Sequence, residues 1–282
     1  MTDGFYSVYA SRHTEINKVA RRFNSVTFVV GEHAGMQEVA YNSYLDFGLV
    51  PEGLPVIDPP EFKSNYAEVP GGSGIIDLST AVSGFPVYKQ REGSITFLPY
   101  RQSLGKTYGL RSRIANILHG RTCKVIIDRD PLWYYQGRIT VKSWTHSNDG
   151  HGTKYEIGYN LNPYKYLYRS SEQEPFWDPI FFPGDYLDNR SLNAAEVNGD
   201  KSIIFHGSAM PVMPTFDVDL TSGESVVIKL YPVSEGLSEH ESFTAYSGEN
   251  SFPELMIYDD QMYRCDISGN AKVTIRFRRG SL

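Results

Sequence analysis

The chain of 282 residues is long enough for two ordinary domains, each with a core of its own. Its formal charge of −6 is mild for this length. The sequence lacks the clusters of Lys and Arg that are typical of a nucleic-acid-binding surface. No apolar run approaches the ~20 residues that a membrane helix needs. The 20 Tyr and 15 Phe, with Gly and Pro throughout, favour many short strands joined by turns.

The cysteine content indicates a reducing compartment. Cys123 and Cys265 lie far apart in the sequence, and two cysteines do not make a disulfide framework. The first residues also lack the charged-then-apolar pattern of a secretory signal. We therefore expect a soluble protein that is made in a cytosol.

The first elements are short and interrupted by proline. Residues 1–24 are polar and mixed, and both a short helix and an arm remain open for them. Residues 25–30 are typical of a first strand. Repeated prolines keep residues 50–60 extended and out of a central sheet position. Strands are predicted to follow at 61–69 and 94–98.

One helix stands out by its periodicity. Its apolar residues fall at positions i, i+4, i+7 and i+8, with Gly120 as the C-terminal stop; they are Leu110, Ile114, Ile117 and Leu118. A strand at 124–127, a turn at 128–131 and a returning strand at 132–141 are predicted next. A second turn at 146–152 leads to an alternating, half-buried strand at 153–161.

The composition of the sequence changes near residue 170. We place a domain boundary there, giving a first domain of residues 1–170, with 1–24 as an additional arm, and a second domain of residues 171–282. The second domain shows only short strand patterns, at 202–205, 215–220, 225–230, 254–258 and 271–278. Such strands without a helical pattern favour a sandwich or jelly roll.

The glycine-rich stretch of residues 69–78 invites comparison with phosphate-binding loops. Three glycines within four positions, Gly71, Gly72 and Gly74, suit backbone angles that other residues avoid. A phosphate loop needs a following Lys-Ser/Thr pair, which is absent, and no helix pattern follows. We therefore interpret the stretch as a bend that leads into a strand at Ile75.

Asp128-Arg129-Asp130 has the form of the metal-binding motif of many nucleotide-sugar transferases. Two carboxylates two residues apart can share one divalent cation. However, no βαβ alternation precedes the motif and Pro131 follows it, so a hairpin turn is favoured. A metal-dependent glycosyltransferase built on Asp128 and Asp130 remains a distant alternative.

Other candidate sites are weaker still. His146 and His151 flank a loop, but nothing nearby completes a zinc site. The sequence contains no nucleophile elbow and no His-Glu-x-x-His, and Cys123 lacks the context of a protease nucleophile, so we predict no catalytic residue, metal or cofactor. Exposed aromatics can stack on sugars, but residues 133–135 favour packing. In the second half, Trp177 is retained as a candidate saccharide contact.

A series of short segments, each weak alone, runs in order over most of the chain. In the first half the segments are Asn42-Ser-Tyr-Leu-Asp-Phe-Gly-Leu-Val-Pro51, Pro59-Pro60, Val69-Pro-Gly-Gly-Ser-Gly-Ile-Ile-Asp-Leu-Ser79, Gly84-Phe-Pro-Val-Tyr88, Arg91-Glu-Gly-Ser94, Leu118-His-Gly120, Asp128-Arg-Asp-Pro131, Tyr134-Tyr135, Gly137-Arg138 and Asn162-Pro-Tyr-Lys165. The second half adds Phe176-Trp-Asp-Pro179, Gly248-Glu-Asn250 and Arg279-Gly-Ser-Leu282. In this order the segments resemble the distal tail protein family of long-tailed bacteriophages, also called phage tail component or minor tail protein.

The resemblance implies a mainly β protein and a structural role. The first domain would be a β-sandwich with one α-helix and an extended hairpin arm, and the second a galectin-like or jelly-roll β-sandwich. The turn and ring-domain residues implied are Pro70, Gly71, Gly74, Asp77, Tyr88, Asp128, Asp130, Pro131, Tyr135 and Gly137.

The resemblance also implies an assembly and its partners. Six copies would close a ring at the distal end of the tail tube in the virion, joined to tail-tip, baseplate or receptor-binding proteins. DNA would pass through the ring without specific binding, and no membrane would be involved. The alternative is a carbohydrate-binding module for host adhesion on a phage or prophage tail.

Overall fold

The computed structural model describes residues 4–31, 38–68, 70–72, 74–100, 104–147, 152–168, 192–235 and 240–282. Its contacts divide the chain into two units, Met1–Tyr168 together with Leu282, and Arg169–Ser281. Both units are built mainly from antiparallel strands, which confirms the predicted mainly β fold class. Within the described ranges, no helix is both long and apolar enough to cross a bilayer.

The first unit is organised around one large antiparallel sheet. Its strands are β1 Val26–Val30, β2 Val39–Asn42, β3 Leu49–Pro51, β4 Tyr66–Glu68, β5 Ile75–Asp77, β6 Arg91–Pro99, β7 Thr122–Ile127, β8 Trp133–Ser147, β9 Gly152–Leu161 and β10 Lys165–Leu167. Seven of them lie in the order β2-β1-β7-β8-β9-β6-β3, and β10 pairs with β8. Among the strands that the structure describes, β4 and β5 pair only with each other and form a separate two-stranded sheet.

Two helices cover opposite faces of this sheet. Helix α1, Gly4–Phe23, buries Ile16 in a cluster with Ile126 of β7. Helix α2, Leu104–Leu118, buries Ile114 in a second cluster with Val125, the preceding residue of the same strand. Because successive side chains of a strand point to opposite faces, the two clusters lie on either side of the sheet.

The two helices agree with the sequence-based predictions to different degrees. The periodicity that predicts α2 is confirmed, and Gly120 follows the helix with a φ of 73°. Residues 1–24, for which a helix or an arm was open, contain the 20-residue helix α1. Arg21 and Arg22 lie in its last turn, where positive side chains interact favourably with the helix dipole.

The strand predictions for the first unit hold with shifted ends. The turn at 128–131 joins β7 to β8, and Val125 pairs with Tyr135 across it. Strand β8 continues past the predicted residue 141 to Ser147. The strand predicted over 61–69 was too long, because only Tyr66–Glu68 is paired as a strand.

The second unit is a five-stranded antiparallel sheet. Its strands are β11 Ala195–His206, β12 Thr215–Pro232, β13 Phe243–Ala245, β14 Gly248–Ser251 and β15 Met262–Arg276, and a short β16, Gly280–Ser281, ends the unit. The order is β11-β15-β12-β13, with β14 also on β12. Alternate residues of the long strands face one core, as predicted for Val273, Ile275 and Phe277.

Strand β12 unites two segments that the sequence predicts separately, 215–220 and 225–230. A register irregularity between Leu220 and Val227 bends the strand without ending it. Gly223 within that irregularity, and the cross-strand partners Gly199 and Gly269, all have positive φ angles, of 87°, 86° and 139°. The three long strands β11, β12 and β15 therefore bend at neighbouring positions across the sheet. The predicted strand at 254–258 was wrong, since Ile257 forms only an isolated bridge with Val212.

Candidate assembly surface on a hairpin arm

Residues 61–89 form a hairpin that projects from the first unit, and we call this segment the hairpin arm. Its base is closed by an isolated bridge between Phe62 and Tyr88. The amide of Lys63 donates to the carbonyl of Val87 at 2.8 Å, and the amide of Lys89 donates to the carbonyl of Glu61 at 2.8 Å. The Lys89 ammonium also lies 2.9 Å from the Glu61 carboxylate and lowers the pKa of that group.

The glycine-rich bend lies at the tip of the hairpin arm, between β4 and β5. Gly71 has a φ of 78°, a conformation that other residues rarely adopt, which fits the predicted bend. Gly74 has no positive φ, and an added Cβ there would meet no atom within 4 Å. Within this unit, only Gly71 of these two glycines is needed for the backbone conformation. Val69 and Ser73 lie outside the described residues.

Asp77 organises the return of the hairpin arm. Its Oδ1 accepts a hydrogen bond from the amide of Ser79 at 2.8 Å, and the Ser79 side chain and amide lower the pKa of Asp77. The Ser79 hydroxyl oxygen accepts from the amide of Asn65 at 2.8 Å, and the Asn65 carbonyl accepts from the amide of Leu78 at 2.8 Å. The Asp77 carboxylate is therefore part of a turn.

The hairpin arm exposes apolar side chains. Ile75 is 69% exposed, Ile76 51% and Val82 fully so, and Phe62, Tyr66 and Leu78 are also exposed. No residue of β4 or β5 is buried. An isolated two-stranded hairpin is at best marginally stable in water, so this surface is suited to packing against another molecule.

The base of the hairpin arm is anchored by Tyr88 and Arg91. The Tyr88 ring packs edge-on against Tyr164, with centroids 5.8 Å apart. The buried Arg91 guanidinium donates to the carbonyl of Pro163 at 2.7 Å and to the carbonyl of Asp58 at 2.6 Å, and lies over the ring of Tyr135. Burial lowers the pKa of Arg91. Tyr88 therefore lies at the base of the arm, and Tyr135 contacts Arg91 beside it.

Asp128 lies in a buried network rather than at an open metal site. Its carboxylate accepts hydrogen bonds from the Ser25 hydroxyl at 2.5 Å, the Thr27 hydroxyl at 2.7 Å and the side-chain amide of Asn42 (Nδ2) at 2.8 Å. Asp130, in contrast, is half exposed and lies 3.3 Å from the Lys165 ammonium. Since the two carboxylates have different partners, the geometry does not support the motif as a paired metal ligand.

The same network reaches helix α1. The Asn42 side-chain oxygen accepts from the amides of Tyr44 and Leu45, each at 3.0 Å. The Asp46 carboxylate accepts hydrogen bonds from the backbone amide of Asn42 at 2.6 Å and from the Arg12 guanidinium at 2.8 Å. No local sequence pattern indicates these contacts, because Ser25 and Asp128 are 103 positions apart.

Gly137 is required by a close approach of two strands. A Cβ at this position would lie 2.1 Å from the carbonyl oxygen of Asn160 and 2.6 Å from the Cα of Leu161. Pro131 lies in the turn before β8. Both residues therefore shape the β7–β8–β9 region.

Several predicted site residues have no described neighbourhood. Trp177 and His151 lie outside the described residues, as does the side chain of His146. In the described part of the chain, no group of three or more His, Cys, Asp or Glu is arranged to hold a metal ion. Cys123 and Cys265 are both free and buried, and burial raises the pKa of Cys123 to about 12.

Comparison with known proteins finds a likeness at the level of the fold. No family model and no curated protein sequence matches the chain. Among solved structures, the fold is similar to the crystal structure of the SPP1 Dit (gp 19.1) protein, described as a paradigm of the hub adsorption apparatus in phages that infect Gram-positive bacteria. The TM-score is 0.51 with 11% sequence identity, over 91% of this chain and 99% of that chain. Both units of this chain therefore lie within a fold that is also found in a phage hub protein.

Proposed function

We propose that this chain is a structural component of a bacteriophage tail tip, in which six copies close a ring by means of the hairpin arm. The observation that carries this proposal is the exposed apolar surface of the arm. A hairpin in which no described residue is buried gains little from folding alone, whereas docking on a neighbouring copy would remove its apolar surface from water.

The ends of the main sheet give further support. Strands β2 and β3 lie at its two edges. Edge strands carry unpaired backbone groups, and subunits of a ring can complete one another's sheets through them. A head-to-tail contact that repeats with closed rotation gives a ring without any active site.

In this proposal the ring is a virion component, made in the bacterial cytoplasm. It joins the tail tube to tail-tip or receptor-binding proteins and leaves a central channel for DNA. The negative net charge of −6 suits such a channel, because a basic lumen would bind phosphates. The protein acts as a scaffold, and the Asp128 network and the exposed hairpin arm both fit a role without catalysis.

The test compares two exposed isoleucines. Ile76 in the hairpin arm is 51% exposed and Ile204 in the second unit is 53% exposed, so Ile76→Asp and Ile204→Asp introduce the same charge at similar exposure. Native mass spectrometry and negative-stain imaging of the purified full chain should show rings of six. We expect Ile76→Asp to shift the population to monomer and Ile204→Asp to leave rings intact. A wild-type protein that stays monomeric at every concentration, or equal ring formation by both variants, would contradict the proposal.

A further inference from the structure

Strand β11 contains a chemically reactive dipeptide, Asn198-Gly199, which is the only Asn-Gly pair in the sequence. Asparagine before glycine is prone to spontaneous deamidation, because glycine has no side chain to hinder attack on the Asn carboxamide. Both residues are exposed to solvent. Among the residues that the structure describes, the Asn198 carboxamide has no hydrogen-bond partner. The reacting group is therefore accessible to water and is not held in place.

Deamidation here is an intramolecular substitution at the Asn198 carboxamide. The backbone nitrogen of Gly199 gives up its proton to a base in the solvent and attacks Cγ of Asn198, which forms an N–Cγ bond. The Cγ–Nδ2 bond breaks, Nδ2 takes up a proton from the solvent, and ammonia leaves behind a five-membered succinimide ring. Water then opens the ring at either carbonyl and gives aspartate or isoaspartate at this position. Water is the only co-reactant.

The attacking nitrogen is already engaged in a hydrogen bond. The side-chain oxygen of Asn270, on the neighbouring strand β15, accepts from the Gly199 amide at 3.2 Å. Asn270 is the cross-strand partner of Asn198, and Gly199 pairs with Gly269, so the strand register fixes this contact. An amide whose proton is held by an acceptor is harder to deprotonate, and the hydrogen bond must break before the nitrogen reaches Cγ of Asn198.

We propose that Asn198 is a site of spontaneous deamidation and that the Asn270 side chain slows the reaction. The modification changes the second unit in two ways. A new carboxylate lies on the same strand between those of Glu196 and Asp200, where like charges repel. Isoaspartate adds one carbon to the main chain beside Gly199, where β11, β12 and β15 bend, and so disturbs the strand register.

Regular β structure by itself is the competing explanation for a slow reaction, because paired strands restrain the dihedral angles that the attack requires. Lys272→Ala is the matched control for this explanation. Lys272 lies on the same strand two residues beyond Asn270, is exposed, and interacts at 3.8 Å with Glu196, three positions before Gly199. Asn270 is exposed as well, so neither Asn270→Ala nor Lys272→Ala removes a buried group, and both variants should fold.

The experiment incubates the purified full chain at mildly alkaline pH, which favours deprotonation of the amide, and follows modification of Asn198 by peptide mapping with mass spectrometry. The reference is the same chain unfolded in guanidinium chloride, which lacks the contact between Gly199 and Asn270. We expect the folded wild type to react more slowly than the unfolded chain. Asn270→Ala should react about three- to tenfold faster than the folded wild type, as expected for the loss of one hydrogen bond, and Lys272→Ala should match the wild type.

Equal rates in Asn270→Ala and the wild type, or the same acceleration in both variants, would show that the proposal is wrong. A second measurement tests the effect on register. Hydrogen-exchange protection of β11 should fall during incubation of Asn270→Ala in proportion to modification, and stay constant when Asn198→Ser is added; an equal fall in both proteins would contradict that effect. Modification takes place within one chain, so these results do not depend on ring formation.

Discussion

Replacing Asp128 by Ala should destabilise the first unit strongly. The substitution removes the shared acceptor of Ser25, Thr27 and Asn42, all of which are buried. Hydrogen bonds to a charged group contribute roughly 1.5–3 kcal/mol each, so a simple sum would be ~4.5–9 kcal/mol. The sum overstates the loss, because the three bonds are coupled and the Asn42 amide keeps the Thr27 hydroxyl as a partner at 3.0 Å. We expect a loss of about 4 kcal/mol, which is large beside a typical total stability of about 5–15 kcal/mol.

The control lies two residues away. Asp130→Ala removes the same side chain at a half-exposed position whose Lys165 partner is 3.3 Å away, and should cost less than about 1 kcal/mol. Asp128→Asn keeps the size but places an amide N–H₂ among donors, so it should fall between the two. If Asp130 were instead a ligand of a metal shared with Asp128, both Ala variants would abolish the same activity and leave stability alone.

Urea unfolding followed by tryptophan fluorescence can report on the first unit alone. The chain has three tryptophans, of which Trp133 and Trp144 lie in β8, so a Trp177→Phe background leaves only these two. The free energy of unfolding is compared for the wild type and the three variants in this background. A loss in Asp128→Ala no greater than that in Asp130→Ala would refute the network as a source of stability.

Two further predictions concern glycine and acid. Gly137→Ala should destabilise the first unit by more than about 2 kcal/mol, because backbone atoms of Asn160 and Leu161 must move, whereas Gly74→Ala should be neutral in the monomer; urea unfolding of both variants decides, and equal effects would contradict the packing argument. The Asp266 carboxylate accepts hydrogen bonds from three side chains, those of Ser202, Tyr231 and Arg264. Burial raises the pKa of Asp266, but these hydrogen bonds outweigh it, and the folded-state pKa is below the 3.8 of an unperturbed carboxyl, so its contribution is present above that pH and is lost as the pH falls further. The protection factors of the β15 amides, which are corrected for the intrinsic pH dependence of exchange, should therefore fall as the pH is lowered, and less steeply in Asp266→Asn. The same pH dependence in both proteins would count against the hydrogen-bond network.

The sequence predicts the elements whose signal is local. The i, i+4, i+7, i+8 spacing is sufficient for α2, and alternation is sufficient for the end of β15. The sequence also predicts the two halves of β12 as separate strands. It does not show that they form one strand, because the residues of a β-bulge and those of a turn cannot be distinguished by sequence alone. For residues 1–24 the sequence leaves a helix and an arm open, and among the side chains of helix α1 that the structure describes only Ile16 and Ala20 are fully buried.

The candidate surfaces depended more on tertiary structure. The glycine-rich stretch predicts a bend before the strand at Ile75. The exposure of Ile75, Ile76 and Val82 follows instead from the lack of a covering element among the described residues, which no local pattern encodes. The role of Asp128 was hidden for a related reason, because its donors are supplied by β1 and by Asn42 at the end of β2. The contact between Asn270 and Gly199 joins two strands whose neighbours are fixed only by the fold.

The common bend of β11, β12 and β15 constrains how the second unit can form. Each strand is continuous through the bend, so the register of one half determines the register of the other. A slip by one residue would turn every core side chain on both sides of the bend toward water at once. The same continuity joins residues that are far apart in the chain, such as Ala195 and Val273, and such long-range pairing slows folding. The second unit therefore exchanges speed of folding for a single, strongly specified alignment.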